Sequence, residues 1–403
     1  MTLREEPWRI VGILAVTQIV SWGSLYYAFA VLAPEIQREL GWSPQIVFGA
    51  YSWSLLVTGV LSTPAGILLD RLGGRLIMGA GSLAAGAGLM LLSVTGSVIH
   101  YFAAWTLLGA AMALTLYEAA FATINREFLQ HARRGISTLT LFGGLASTVF
   151  WPITLQLNTA VGWRKTYFIY GIVHLLLCLP LHALLRKRAR RVQTEPADNT
   201  GTRSHTLQEA LRDPTFWKLA FAFSANAFVF SSLSVHLIPL LHKFGHSLAT
   251  AVFVATLIGP MQVAGRIGEM ALAHRLPPQR AGTITFAVLP AALLALLFFG
   301  MHEPAIALFC ILYGLSNGIM TIVRGTVPIE LFGRDNYGAV AGALASPATI
   351  AKAAGPVAIA AVVALDPSPY PSLGVLLVLS LLSLGCYLAV GKAPRRHIET
   401  ARS

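Results

Sequence analysis

Five ionisable residues stand inside otherwise apolar stretches: Glu118, Arg266, Glu269, Arg324 and Lys352. The run "NGIMTIVRGTVPIE" (317–330) is the sharpest case, because Arg324 sits within it where a charge is expensive. A charge at mid-bilayer costs about 2.5–3.5 kcal/mol even on the lenient insertion scale, so such residues face a cavity or a partner. A guanidinium fork matches two carboxylate oxygens, which makes Arg324 a candidate anion anchor or gate charge, with Lys352 as a point-charge partner. A partly desolvated carboxylate that loses its arginine partner takes up a proton more readily. On that ground Glu118, and after it Glu269, are the candidate proton carriers. Arg266 and Glu269, at i and i+3, share a helix face and are placed to pair locally as part of a gate. Tyr27, Tyr117 and Asn317 are expected to shape the pocket, against the plainer reading of packing or interfacial aromatics. Three positive groups (Arg266, Arg324, Lys352) against two negative ones (Glu118, Glu269) favour an anionic solute.

These residues need a scaffold, and the composition specifies its solvent. Of 403 residues, 55% are hydrophobic and 11% charged, whereas a soluble domain carries about 25% charged residues. Twelve apolar stretches recur between residues 10 and 391, each about 20–27 residues long and so able to cross a hydrocarbon core of about 30 Å as a helix. The sequence therefore predicts an all-α membrane protein of twelve transmembrane helices in two six-helix bundles. Pro64, Pro152, Pro260, Pro328, Pro347 and Pro356 lie within these stretches and are read as kinks, since neighbouring helices can satisfy the freed backbone groups.

Orientation follows from the basic residues. Of the 29 Lys and Arg, 22 fall at the termini, in the even-numbered connections or, as Lys218, just beside one, which by the positive-inside rule places both ends in the cytoplasm. The net charge of +12 is thus explained by topology and anionic lipid, without nucleic acid. The start "MTLREEPWR" runs straight into a full-length span with no small-residue cleavage site, so no cleaved signal is expected. Cys178, Cys310 and Cys386 are scattered and odd in number, which suits buried free thiols and no metal motif.

The longest polar segment, 186–213, divides the spans six and six. It separates an expected N-terminal bundle (1–185) from a C-terminal one (214–403), with "RKRARR" (186–191) on the basic side and "HTLQEALRDPTFWK" predicted to begin a short surface helix. Aligning Gly109 with Gly314 overlays "GAAMALTLYEAAFATI" on "GLSNGIMTIVRGTVPI" and brings Glu118 one position from Arg324. Both lie about six residues from the cytoplasmic ends of helices 4 and 10, roughly 9 Å deep. Such internal repetition belongs to secondary transporters that rock about a central site.

The connection "GILLDRLGGR" (66–75) resembles the cytoplasmic signature of the major facilitator superfamily, a glycine followed four residues later by Asp-Arg, then Gly and a basic residue. The related site "GRIGEMALAHRLPPQR" (265–280) has His274 where the acid would stand. The resemblance implies that Asp70 meets the positive N-terminal end of helix 11 and latches the cytoplasmic side, with Arg71 and Arg75 completing a charge network. "SLYYAFAVLAPEIQRELGWS" (24–43), "ARRGISTLTLFGGLASTVFWP" (132–152) and "GWRKTYF" (162–168) are similar to the monocarboxylate-porter-like branch, whose members carry small organic anions, often with a proton. This sequence differs from that branch in helix 8, where Arg266 precedes Glu269, and in having no basic residue in helix 1.

"GAGSLAAG" (79–86) is no phosphate loop, since small residues spaced by four are how membrane helices approach closely. No P-loop, H-E-x-x-H or paired cysteine motif is present, so no cofactor and no catalytic residue are assigned. The expectation is a monomeric secondary transporter of a bacterial inner membrane that moves a small organic anion with protons by symport. Its alternative is a proton-antiport exporter of drugs, toxic metabolites or metalloids.

Overall fold

The structure is a computed structural model that describes residues 6–128, 132–185, 204–273 and 275–391. Twelve helices cross it: α1 (Trp8–Leu40), α2 (Pro44–Leu72), α3 (Gly74–Ser93), α4 (Val98–Glu127), α5 (132–161), α6 (163–183), α7 (Pro214–Lys243), α8 (Leu248–Leu272), α9 (Pro278–Phe299), α10 (Glu303–Phe332), α11 (Tyr337–Leu365) and α12 (Pro369–Leu388). α5 and α6 run into one another through Gly162, whose φ of 82° breaks the helix in a conformation glycine adopts without steric cost. No strand occurs among the described residues. An even number of crossings leaves both chain ends on one face, called here the terminal face.

Helices α1–α6 bury one set of apolar side chains and α7–α12 another, with Trp105, Tyr101 and Phe29 central to the first and Phe309, Tyr313 and Leu293 to the second. The halves meet along α2 and α11. Gly59, Ser62 and Gly66 face Ser346, Gly342 and Gly338 backbone to backbone, and a methyl group on Gly66 or Gly342 would collide with the opposing carbonyl. Small residues are how helices in lipid come this close, because no hydrophobic driving force separates them from the solvent. Ahead of α7, Thr206 and Glu209 form a reciprocal capping box that starts the helix Leu207–Arg212. Residues 186–203, including "RKRARR", and His274 lie outside the described residues.

Five helices among the described residues lose regular geometry in mid-span, α6 through a π-helical turn at His174–Cys178. α1 widens into a π-helical turn at Trp22–Tyr27. α4 breaks at Leu116, where ψ is −165°; no Gly or Pro stands there, but the Gln18 side-chain amide donates to the Thr115 carbonyl at 2.5 Å. α5 turns at Gly144–Leu145, between Gly143 and Ala146. α8 breaks at Thr256–Leu257, because Pro260 removes the donor for the Thr256 carbonyl and crowds it. The kink expected at Pro260 in α8 is thus a full interruption, whereas α2, α5, α10 and α11 stay continuous through their prolines, the break in α5 lying eight residues before Pro152. Interrupted backbone at membrane depth is tolerated where it is buried or borders a polar cavity.

Candidate functional site

The irregular turns of α1, α4 and α5 converge on one region. The wide turn of α1 presents Trp22, Tyr26 and Tyr27 together: Trp22 lies 5.2 Å from Tyr26 and 5.0 Å from Tyr117 of α4, centroid to centroid, and Tyr27 lies 6.0 Å from Trp151 of α5. Two cations from the other half enter this aromatic wall. Lys352, midway along α11, holds its Nζ 4.2 Å from the Tyr26 ring centroid and 5.7 Å from that of Trp22. Arg266 of α8 is only 6% exposed, and its guanidinium rests against Gly144 in the α5 turn, next to Gly143, which packs on the Tyr117 hydroxyl. Gly144 is where α5 must lack a side chain, since a Cβ would occupy the guanidinium's place.

Neither cation has an acidic partner among the described residues, and the Arg266 Nε makes no hydrogen bond. Cation–π contact supplies roughly 0.5–2 kcal/mol, which offsets only part of the cost of a desolvated charge. The Lys352 backbone is also adapted. Pro356 leaves the Lys352 carbonyl without its helical donor, and Ser231 Oγ of α7 fills the gap at 2.6 Å. One turn on, His236 Nε2 lies 2.9 Å from the Pro356 carbonyl.

Nearer the terminal face, Arg324 donates to Glu118 Oε1 at 2.6 Å, both side chains being one-third exposed. The pair borders a cavity of about 20 Å³ with Phe121, Phe223 and Tyr337, enough for one water. Arg324 is therefore neutralised by Glu118, and the cations free to meet an anion are Arg266 and Lys352. The local pairing expected of Arg266 with Glu269 does not form. Glu269 instead accepts from Arg133 of α5 at 2.7 and 2.9 Å and from Ser137 Oγ at 3.0 Å. Arg133 also donates to the Ala273 and Leu276 carbonyls at the end of α8, so one guanidinium matches a charge and closes a helix terminus, which a neighbour on the same helix cannot do.

At the α2–α3 connection, Asp70 accepts from the backbone N–H groups of Gly338 and Ala339 at 3.0 and 2.7 Å, in the first turn of α11. The expected network with Arg71 and Arg75 is absent: neither makes a hydrogen bond or ion pair among the described residues, and the supporting cation is Arg126 of α4, which donates to the Leu69 and Asp70 carbonyls. Asn317 is half-buried on α10, with no side-chain hydrogen bond tying it to Arg266 or Lys352. Sequence reading missed Trp22, Arg126 and Arg133. The last two were counted only as topology signals, although their positions beside the helix ends mark them as available to carbonyls.

All cross-half hydrogen bonds and ion pairs among the described residues lie between the terminal face and the Thr63–Ser346 contact of 2.9 Å. Two sets of six helices, linked at one end beside a central polar cluster, have the architecture of a membrane transporter. The chain belongs to the Major Facilitator Superfamily, whose sequence profile matches residues 14–356; this is a family of transporters, not enzymes. It is similar to the uncharacterized MFS-type transporter YhjX of Escherichia coli (strain K12), at 26% identity over 71% of this chain and 72% of that protein. Monocarboxylate transporter 13 of Rattus norvegicus is 24% identical over 78% of this chain and 71% of its own length. The oxalate:formate antiporter of Oxalobacter formigenes is 27% identical over 61% of this chain and 57% of its own length. Among solved structures, FucP in the outward conformation superposes with a TM-score of 0.73 over 95% of this chain and 98% of that one, at 13% identity.

Proposed function

We propose that this protein is a proton-coupled transporter of a small organic anion, a monocarboxylate or compact dicarboxylate, held between Arg266 and Lys352 within the Trp22–Tyr26–Tyr27–Tyr117 wall. One observation carries the reading: a buried Arg266 and a half-buried Lys352 that have no acidic partner among the described residues. A bound carboxylate would complete both, accepting a forked hydrogen bond from Arg266 and a charge contact from Lys352. The names of the monocarboxylate and oxalate:formate relatives agree with such a solute. In the proposed orientation the terminal face is cytoplasmic and the membrane is a bacterial inner membrane. The closed terminal face then makes this the outward-facing state, the Glu118–Arg324 pair is the gate, and Glu118 takes the proton when the gate parts.

Flux into proteoliposomes with a panel of small carboxylates tests this. Arg266→Gln and Lys352→Gln should each lower carboxylate uptake at least tenfold, because each removes a charge-assisted contact of about 1.5–3 kcal/mol. Arg324→Gln should retain binding while altering turnover. Carboxylate flux that survives both of the first two substitutions overturns the assignment.

A further inference from the structure

A buried glycine serves either through its backbone freedom or through the space its missing side chain leaves. Along the seams between helices that space is taken by backbone: Gly66 and Gly342 face carbonyls across α2 and α11, and Gly265 and Gly318 face the Leu315 and Gln262 carbonyls across α8 and α10. The α5 turn differs. Neither Gly143 nor Gly144 has a positive φ, so the turn itself does not demand glycine. A Cβ on Gly143 would meet the Tyr117 hydroxyl, and one on Gly144 would meet the Arg266 guanidinium. Both are the far ends of side chains from other helices, α4 and α8, and both side chains belong to the central cluster. Arg266 enters from the opposite half, is 6% exposed, and has no hydrogen bond from Nε and no ion pair among the described residues, which leaves packing against Gly144 to place its guanidinium. The Tyr117 ring lies between Trp22 and Phe121, with centroids 5.0 and 5.2 Å away, so a push on its hydroxyl passes to the rest of the wall.

We propose that Gly143 and Gly144 are positioning residues for the solute. Their side-chain-free notch seats the Arg266 guanidinium and the Tyr117 hydroxyl, and so sets where the carboxylate meets the aromatic wall. This role rests on Arg266 being a solute cation, as proposed above. Because the seat belongs to one half and the guanidinium to the other, the site is complete only while α5 and α8 stand together, and it is dismantled when they part.

Uptake kinetics in proteoliposomes and Tm in detergent, both on the full-length protein, test this. Gly144→Ala should raise the KM for carboxylate about tenfold, since a displaced guanidinium no longer forks onto the solute. Vmax should stay within about twofold, the pattern of lost binding alone. Alanine at an allowed φ narrows the unfolded ensemble, so Tm should hold or rise, whereas a glycine needed only for helix packing would lower it when replaced. Added to Arg266→Gln, Gly144→Ala should change KM by less than about twofold, because its effect runs through the arginine. Gly143→Ala should raise KM in the parent protein and have no effect of its own in a Tyr117→Phe background, where the atom in its way is gone. Arg266→Gln that raises KM while Gly144→Ala does not would overturn the proposal and leave Arg266 as a solute ligand, whereas Arg266→Gln without effect would overturn both. Additive losses in either double variant, or a KM change accompanied by a lowered Tm, would assign the glycines to packing and overturn the proposal as well.

Discussion

Glu118 and Arg324 sit nine and eight residues from the ends of α4 and α10, so both lie about 12–13 Å below the terminal face. Matched depth let the sequence suggest that they could meet. It could not decide which of the intramembrane cations is left free, because hydrophobic periodicity reports depth and helix face but not which residue of the other half stands opposite. Arg266 and Glu269 show the same limit: their i, i+3 spacing looks like a pair, yet Arg133, 136 positions away, supplies the better geometry. At this scale the prediction concerns the proton. With Glu118→Gln, accumulation driven by a pH gradient should fall to background while substrate exchange at equal pH persists within several-fold, measured in the same vesicles. Undiminished pH-driven accumulation would remove Glu118 from the coupling role. Stability offers an independent reading: Glu118→Gln/Arg324→Gln should unfold at a higher temperature than either single variant, since neither charge is then left unmatched, and the coupling should be about 1–3 kcal/mol.

The helices themselves were legible as apolar stretches of spanning length, and their interruptions were not. A proline reports its own position, but the break at Leu116 depends on Gln18 competing from another helix, and the π-helical turn of α1 has no local residue that demands it. Both are tertiary effects, invisible to propensity. α11 provides a test of how such backbone is satisfied. Ser231→Ala would strand the Lys352 carbonyl that Pro356 has already deprived of its donor, a loss of about 1–3 kcal/mol for an unpaired buried polar group. Pro356→Ala restores the i→i−4 donor, so the double variant Ser231→Ala/Pro356→Ala should be more stable than Ser231→Ala alone. Tm in detergent reads this directly, and additive losses would show that the Ser231 contact does not replace the missing helical bond.

Across the whole molecule the bonds between halves are one-sided. The terminal face is held by Asp70 on the first turn of α11, by Arg133 on the end of α8, by the Arg334 bond to the Phe128 carbonyl and by Glu118–Arg324. Beyond Thr63–Ser346 no hydrogen bond or ion pair among the described residues joins the halves. A rocking transporter needs these links to be individually modest, because a state that must open on every cycle cannot be held by much more than its solute can offset. A covalent link at Thr63 and Ser346, whose hydroxyls are 2.9 Å apart, would replace a modest link with a permanent one. With Cys178, Cys310 and Cys386 first replaced by Ala or Ser, Thr63→Cys/Ser346→Cys should cross-link under mild oxidation. Oxidised protein should lose transport, keep carboxylate binding from the open side, and recover flux when the bond is reduced. Full flux in protein shown to be quantitatively cross-linked would mean that α2 and α11 do not part during the cycle, and that the open face moves without the closed one.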